Sequence, residues 1–257
     1  MGKSIFRFTT LVFQGLVTAG VIGVFVLTVV FANGTGTDMS FVWGKMLLLC
    51  IHAFATFAAT LLIAHYTKTA TGAEVQVVPL LFLALTLKDI DMINLSFCVT
   101  HLFAPWLQSV AFLFQVAFIL SSFLFMECGI FQTEINSRKM SQFVLIALAS
   151  SLYLGLTVPV TYESGAYQQS AFITSSMLRL FLFGFGFVAI CAMMLNLLQE
   201  SPSRKTITKT IAFVMLIVAH TLQANILNSG GRFICLGLHV AGLVILVLVA
   251  RSSRIWG

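Results

Sequence analysis

The sequence predicts an all-α, polytopic membrane protein: a bundle of eight transmembrane helices joined by short loops. Of its 257 residues, 59% are hydrophobic and only 9% are charged, and the mean hydropathy is +1.03. A soluble domain carries about 25% charged residues. A membrane span needs about 20 mostly apolar residues, and nearly the whole chain divides into such segments. We therefore expect residues 1–257 to form one integral membrane domain without a soluble catalytic or signalling domain.

Turn-forming residues separate the apolar segments, as at residues 33–38 and 228–231, which are rich in Asn, Gly and Ser. All four prolines (Pro79, Pro105, Pro159 and Pro202) lie near span ends or in loops, so we expect no helix to be broken at mid-membrane. The apolar run of the first span is longer than a signal-peptide core, so we expect this span to remain uncleaved. The predicted spans cover residues 10–32, 42–65, 77–97, 102–125, 143–161, 175–198, 208–228 and 233–250.

The distribution of basic residues predicts the orientation of the bundle, because cytoplasmic loops carry an excess of Lys and Arg. With the N-terminus inside, only Lys45 and Arg232 fall in outer segments, while Lys88 and Arg179 fall within spans. Both termini are therefore predicted to be cytoplasmic, and a bacterial inner membrane is the expected location. The basic residues of the cytoplasmic segments are Lys3, Arg7, Lys68, Arg138, Lys139, Arg204, Lys205, Lys209, Arg251 and Arg254.

The most informative motif is the charged cluster Lys88-Asp89-Ile90-Asp91, which lies within the predicted span 77–97. An ionisable side chain at the centre of a membrane helix costs about 2.5–3.5 kcal/mol even on the permissive insertion scale. Lys88 and Asp91 are three residues apart and can pair along one helix face. We expect Asp89 to find Arg179 or a histidine. Such a cluster indicates either a functional site or a structural ion-pair network that fixes helix packing.

Other polar residues are concentrated in the predicted outer half of the membrane. His101, Gln108 and Gln115 are spaced by seven residues and share a helix face. Residues from at least five helices could thus line one pocket that opens to the outside. The predicted binding residues are Lys88, Asp89, Asp91, Gln108, Gln115, Arg179, His220 and Gln223.

The leading hypothesis is a membrane protein that binds, and transports, a small polar solute or ion from outside. Asp89 and Asp91 would supply charge or carry protons. A second hypothesis is a receptor or an integral subunit of a larger complex, with a cytoplasmic or membrane protein partner docking on residues 138–139 or 204–205. The basic residues lie in short loops, so nucleic acid is not an expected partner; the lipid bilayer is.

Three histidines raise a cofactor alternative. His52 could ligate a single haem b together with His220 or His239. The same histidines with Asp89 or Asp91 could instead hold a zinc or iron ion, since imidazole and carboxylate suit both metals. The expectation is nevertheless that no cofactor is bound. No nucleophile, metalloprotease, phosphate-binding or dinucleotide motif is present, so no enzymatic activity is expected.

Overall fold

The computed structural model describes residues 2–35, 40, 42–67, 74–100, 107–130, 137–158, 176–199, 203–223 and 229–255. Helix accounts for 98% of this part of the chain, and no strand occurs in it. The helices are α1 (Gly2–Thr35), α2 (Leu47–Tyr66, entered through the π-helical turn Val42–Met46), α3 (Glu74–Leu87), α4 (Asp91–Thr100), α5 (Leu107–Ile130), α6 (Ser137–Thr157), α7 (Ser176–Gln199), α8 (Arg204–Gln223) and α9 (Ser229–Ile255). A 3₁₀ turn, Lys88–Ile90, joins α3 directly to α4.

The predicted all-helical membrane class is confirmed. Six helices (α1, α2, α5, α7, α8 and α9) are long and apolar enough to cross a membrane, and α6 contributes a shorter apolar stretch, Gln142–Thr157. The long apolar helices therefore number six to seven within the described part of the chain. His101 and the predicted span residues 102–106, 159–161 and 224–228 lie outside the described residues.

Helix α1 buries polar side chains and exposes apolar ones, as is expected of a membrane helix. Its buried face carries Gln14 and Thr18, while Leu16 and Leu27 are 65% and 70% exposed. In water this arrangement would reverse the usual burial of apolar side chains. In lipid it is favourable, because polar side chains gain by bonding to neighbouring helices. Gln14 Nε2 accordingly donates to Thr86 Oγ1 of α3 at 2.9 Å.

The centre of the bundle is formed by α5 and by the continuous α3–3₁₀–α4 segment. The apolar core of α5 is 72% buried, against 22% for α1 and for α7. Helix α1 packs on α2, α3 and α4, while α9 packs on α2 and α8. Helix α7 packs on α5 and α8, and α6 on α5. Side chains from α3, α5, α8 and α9 form the largest apolar cluster.

The helical segment through the charged cluster is unbroken but is not α-helical throughout. Lys88–Ile90 form a 3₁₀ turn, although no Pro or Gly lies nearby in the sequence. Side chains three residues apart eclipse in a 3₁₀ turn, which has three residues per turn. Lys88 and Asp91 therefore lie on the same side of the segment. Helix α3 begins at Glu74, so Pro79 lies inside the helix near its start.

The contact between α8 and α9 generates a test of the packing. A Cβ atom at Gly242 would lie 2.9 Å from the Ala212 carbonyl oxygen and 3.0 Å from Leu216 Cγ. We expect Gly242→Ala to destabilise the protein by about 1–3 kcal/mol through overpacking. The matched control is Gly237→Ala on the same helix, where nothing lies within 4 Å of the added atom. Thermal unfolding in detergent should show a lowered Tm for the first variant only; equal Tm values would contradict this packing.

Candidate functional site

A small polar cavity lies where α2 and α9 begin and α8 ends, beside the 3₁₀ turn. Its volume is about 50 Å³. A buried water molecule needs roughly 10–15 Å³ of cavity volume, so the cavity can hold about three to five groups of that size. The lining residues are Lys45, Leu48, Leu49, His52, Lys88, Asp89, Asp91, Phe114, Phe118, Ala219, Gln223, Arg232, Cys235, Leu236 and His239.

The central contact of the cavity joins Asp89 of the 3₁₀ turn to His52 of α2. Asp89 Oδ2 and His52 Nδ1 are 2.7 Å apart. Asp89 is fully buried and His52 is 5% exposed. Within the described part of the chain, Asp89 Oδ1 and His52 Nε2 have no hydrogen-bond partner. Because burying an unsatisfied polar atom is costly, two such atoms on adjoining side chains of one cavity point to a ligand or to water.

His239 of α9 extends this pair, and its tautomer follows from its neighbours. Its ring contacts the His52 ring with the ring centres 4.0 Å apart and the ring planes inclined by 31°. Its Nε2 is 2.9 Å from Thr56 Oγ1, and the single proton of that hydroxyl is donated to the His52 carbonyl at 2.7 Å. The hydroxyl must therefore accept a proton from His239 Nε2. Neutral His239 then carries its lone pair on Nδ1.

The remaining charges lie on the other side of the cavity. Lys88 Nζ donates to Gln223 Oε1 of α8 and lies 5.6 Å from the centre of the Phe118 ring. Asp91 accepts a long hydrogen bond of 3.5 Å from Asn94, and the charges of Arg232 and Lys45 act on it favourably. Three cations, Lys45, Lys88 and Arg232, and two carboxylates therefore line one small volume.

The structure brings together six of the sequence-predicted residues and separates the others. His52, Lys88, Asp89, Asp91, Gln223 and His239 line the cavity, whereas Gln108, Gln115, Arg179 and His220 are not among its lining residues. The expectation that Asp89 would meet a histidine is confirmed by His52. Lys88 bonds to Gln223 rather than to Asp91.

Each separated residue has a definite environment. Gln108 is exposed, and Gln115 Nε2 is 3.5 Å from the Val158 carbonyl that follows α6. Their face of α5 is therefore not the face carrying Phe114 and Phe118 that meets the cavity. Arg179 is half-buried near the start of α7. His220 stacks on the Phe118 ring at 4.1 Å and bonds to Ser122 at 3.0 Å, which places it directly behind the cavity wall.

Sequence reasoning missed Lys45, Arg232 and Cys235 as cavity residues. From the sequence, Lys45 and Arg232 are outer cations that mark orientation and that could meet the propionates of a haem. Lys45 is 9% exposed in the π-helical turn before α2, and Arg232 lies in the first turn of α9. Their predicted depth could have identified them. Each lies at the end of a long apolar run, at about the same predicted depth in the membrane as Asp91 and Asn94.

Two imidazoles on opposite sides of a metal have their ligating nitrogens roughly 4 Å apart and their ring centres farther apart still. The ring centres of His52 and His239 are only 4.0 Å apart, so this pair does not have the spacing of two axial haem ligands. In the described part of the chain, no group of three or more His, Cys, Asp or Glu side chains could hold a metal ion.

The fold and the site together define a multi-pass membrane protein with a buried polar cavity. No protein-family model, curated protein or solved structure matches the chain at a significant level. The functional argument therefore depends on the residues of the cavity.

The hydroxyl of Thr56 provides a test of this network. Thr56→Val removes the acceptor of the His239 Nε2 proton and leaves a buried donor unsatisfied, at a cost of about 1–3 kcal/mol. The matched control is Thr60→Val, one turn along α2, because the Thr60 hydroxyl donates to the Thr56 carbonyl of its own helix. Thermal unfolding in detergent should show a lower Tm for Thr56→Val than for Thr60→Val. The reverse order would refute the assignment.

Proposed function

We propose that the protein binds a small polar solute or ion in this cavity and carries it across the membrane. The observation that carries the proposal is the buried Asp89–His52 pair, with an unpartnered atom on each side chain and a cavity beside it. A purely structural ion pair is stable only when its remaining polar atoms are also satisfied. Here the two remaining atoms are left for a ligand.

The chemistry of the two atoms favours a proton or a ligand that donates hydrogen bonds. Asp89 Oδ1 is a carboxylate acceptor. His52 Nε2 carries a lone pair when Nδ1–H donates to Asp89. A proton can therefore be added at Nε2 while the 2.7 Å bond between His52 and Asp89 is retained. Water, ammonium and other small donors match the same atoms and the volume of about 50 Å³. A larger solute would require the helices to separate.

The accompanying topology has eight crossings, with α3–α4 as the third and α6 as the fifth. Both termini lie in the cytoplasm of a bacterial cell, and the chain resides in the inner membrane. The excess of Lys and Arg in the alternate loops supports this orientation. The cavity then opens toward the outside, because α2 and α9 begin at that surface and α8 ends there.

A receptor or an integral subunit of a larger complex is the second candidate. One observation favours it: below the cavity the bundle is filled by a large apolar cluster that includes Leu85, Leu124 and Leu216, each with no exposed surface. Such a seal suits a protein that senses a ligand from one side only. It would act through a partner at its cytoplasmic loops.

The transport proposal predicts that Asp89→Asn abolishes flux. The amide keeps the size of the carboxylate but cannot accept a proton or hold a charged His52. The measurement uses proteoliposomes with an imposed gradient of protons, ammonium, potassium or chloride; a pH-sensitive dye reports the first two and ion-selective dyes report the last two. We expect wild-type protein to give a flux of at least one of these probes, and Asp89→Asn to reduce it by at least tenfold.

The matched control is Glu127→Gln, which also replaces a buried carboxylate by its amide. Glu127 is 4% exposed on α5 and does not line the cavity. It should retain wild-type flux, and both variants should insert and elute as the wild type does. Wild-type liposomes without flux of any probe would exclude ion transport and favour the receptor. Equal flux in wild type and Asp89→Asn would remove Asp89 from the mechanism.

The topology has a separate test. The side of the membrane assigned to every later loop depends on whether α3–α4 crosses. If it crosses, residue 134 and the C-terminus both lie in the cytoplasm; if it does not, residue 134 lies outside. Fusions after residue 134 and after residue 257 should be fluorescent with green fluorescent protein and inactive with alkaline phosphatase. An active phosphatase at residue 134 would show that α3–α4 returns to the side from which it enters.

A further inference from the structure

A second cavity lies at the opposite end of the bundle from the polar cavity. It is formed where α1, α3 and α8 begin and where α2 and α9 end. Its volume is about 160 Å³, three times that of the polar cavity. An engineered apolar cavity of about this size in another protein binds benzene. The second cavity can therefore accept several carbon atoms.

The interior of the second cavity is apolar in character. Phe82, Phe213 and Leu246 contribute to its wall. Two threonines also line it, but their protons are already used: Thr60 donates to the Thr56 carbonyl and Thr67 to the Ile63 carbonyl, at 2.7 and 2.8 Å. A ligand that fills this space should present hydrocarbon to it.

Two cations also line the same cavity. Arg7 comes from α1 and Lys209 from α8, and both are half-buried. Arg7 Nη1 donates to the Thr67 carbonyl at the end of α2, at 3.3 Å. This bond holds the guanidinium beside the cavity. Two cations from different helices therefore border one apolar volume, which places positive charge next to a space suited to hydrocarbon.

The cavity borders a gap between helices. Among the described residues, α1 packs on α2, α3 and α4 but makes no extensive contact with α8 or α9. The outer face of α1 is also exposed, with Phe8 at 69%. In a membrane this face is covered by lipid. A lipid molecule can therefore reach the cavity laterally, without passing through water.

We propose that this second cavity is a binding site for an anionic phospholipid of the surrounding membrane. The part of one acyl chain nearest the headgroup occupies the apolar volume, and the phosphate lies between Arg7 and Lys209. Basic pockets between transmembrane helices are established sites for anionic headgroups. Arginine suits this position because its planar donors match two phosphate oxygens at once. The site is separate from the polar cavity and does not depend on transport.

The test measures lipid binding to the purified protein. Phosphatidylglycerol and phosphatidylcholine with identical chains are titrated into the protein in detergent, with native mass spectrometry and thermal unfolding as readouts. We expect phosphatidylglycerol to bind more tightly and to raise Tm. Each cation contributes about fivefold in affinity. Arg7→Gln with Lys209→Gln should therefore reduce the preference by roughly 25-fold, and Arg7→Lys should largely retain it.

Two further variants separate the headgroup from the chain. Ala64→Leu fills part of the apolar volume without altering charge and should also weaken phosphatidylglycerol binding. Lys205→Gln is the matched control, since Lys205 is an exposed cation on α8 outside the cavity, and it should bind as the wild type does. Equal binding of both lipids, or full binding by the double variant, would overturn the proposal. Displacement of the lipid by millimolar inorganic phosphate would also overturn it, because the site would then hold a free anion.

Discussion

The bundle is organised around one electrostatic constraint: the charges of Lys88, Asp89 and Asp91 must be balanced away from water. A single charge in this environment costs several kilocalories per mole unless it is paired. The 2.7 Å contact between His52 and Asp89 meets part of this cost, and Gln223 meets part of the cost for Lys88. Helices α2 and α8 supply these contacts. The charges that would destabilise the bundle if unpaired therefore also determine which helices pack at its centre.

The polar contacts outside the cavity serve the same end. Gln14 bonds to Thr86 and to the Phe82 carbonyl, in the turns immediately before the charged cluster. The packing of α1 is thus fixed next to the point where the central segment changes its helical pitch. Along α2, His52 lines the polar cavity and Thr60 lines the apolar cavity. These residues are eight positions apart, so about two turns of helix separate a polar environment from a hydrocarbon-like one.

Composition and charge were sufficient to predict the helical membrane class, the position of the charged cluster inside the bundle, and a histidine as one of two possible partners of Asp89. They were insufficient to predict which contacts a helix face makes, because those contacts depend on the rotation of the helix about its axis. Gln108 and Gln115 share a helix face, as their spacing required, but spacing does not say which neighbour that face meets. Arg179 brings the sum of the charges within the predicted spans to zero. Lys45 and Arg232, however, are the cations that line the cavity together with Lys88. The 3₁₀ turn has no marker such as Pro or Gly in the sequence around it.

That turn has a geometric consequence for everything that follows it. Three residues advance a chain by about 300° in an α-helix and by about 360° in a 3₁₀ helix, with rises of about 4.5 and 6 Å. Helix α4 is therefore turned by about 60° and displaced by about 1.5 Å relative to a continuous helix. Ser96 meets Thr28 of α1 at 2.7 Å in this orientation. The 3₁₀ turn at the charged residues thus determines how α4 is rotated about its axis and which partner each of its faces meets.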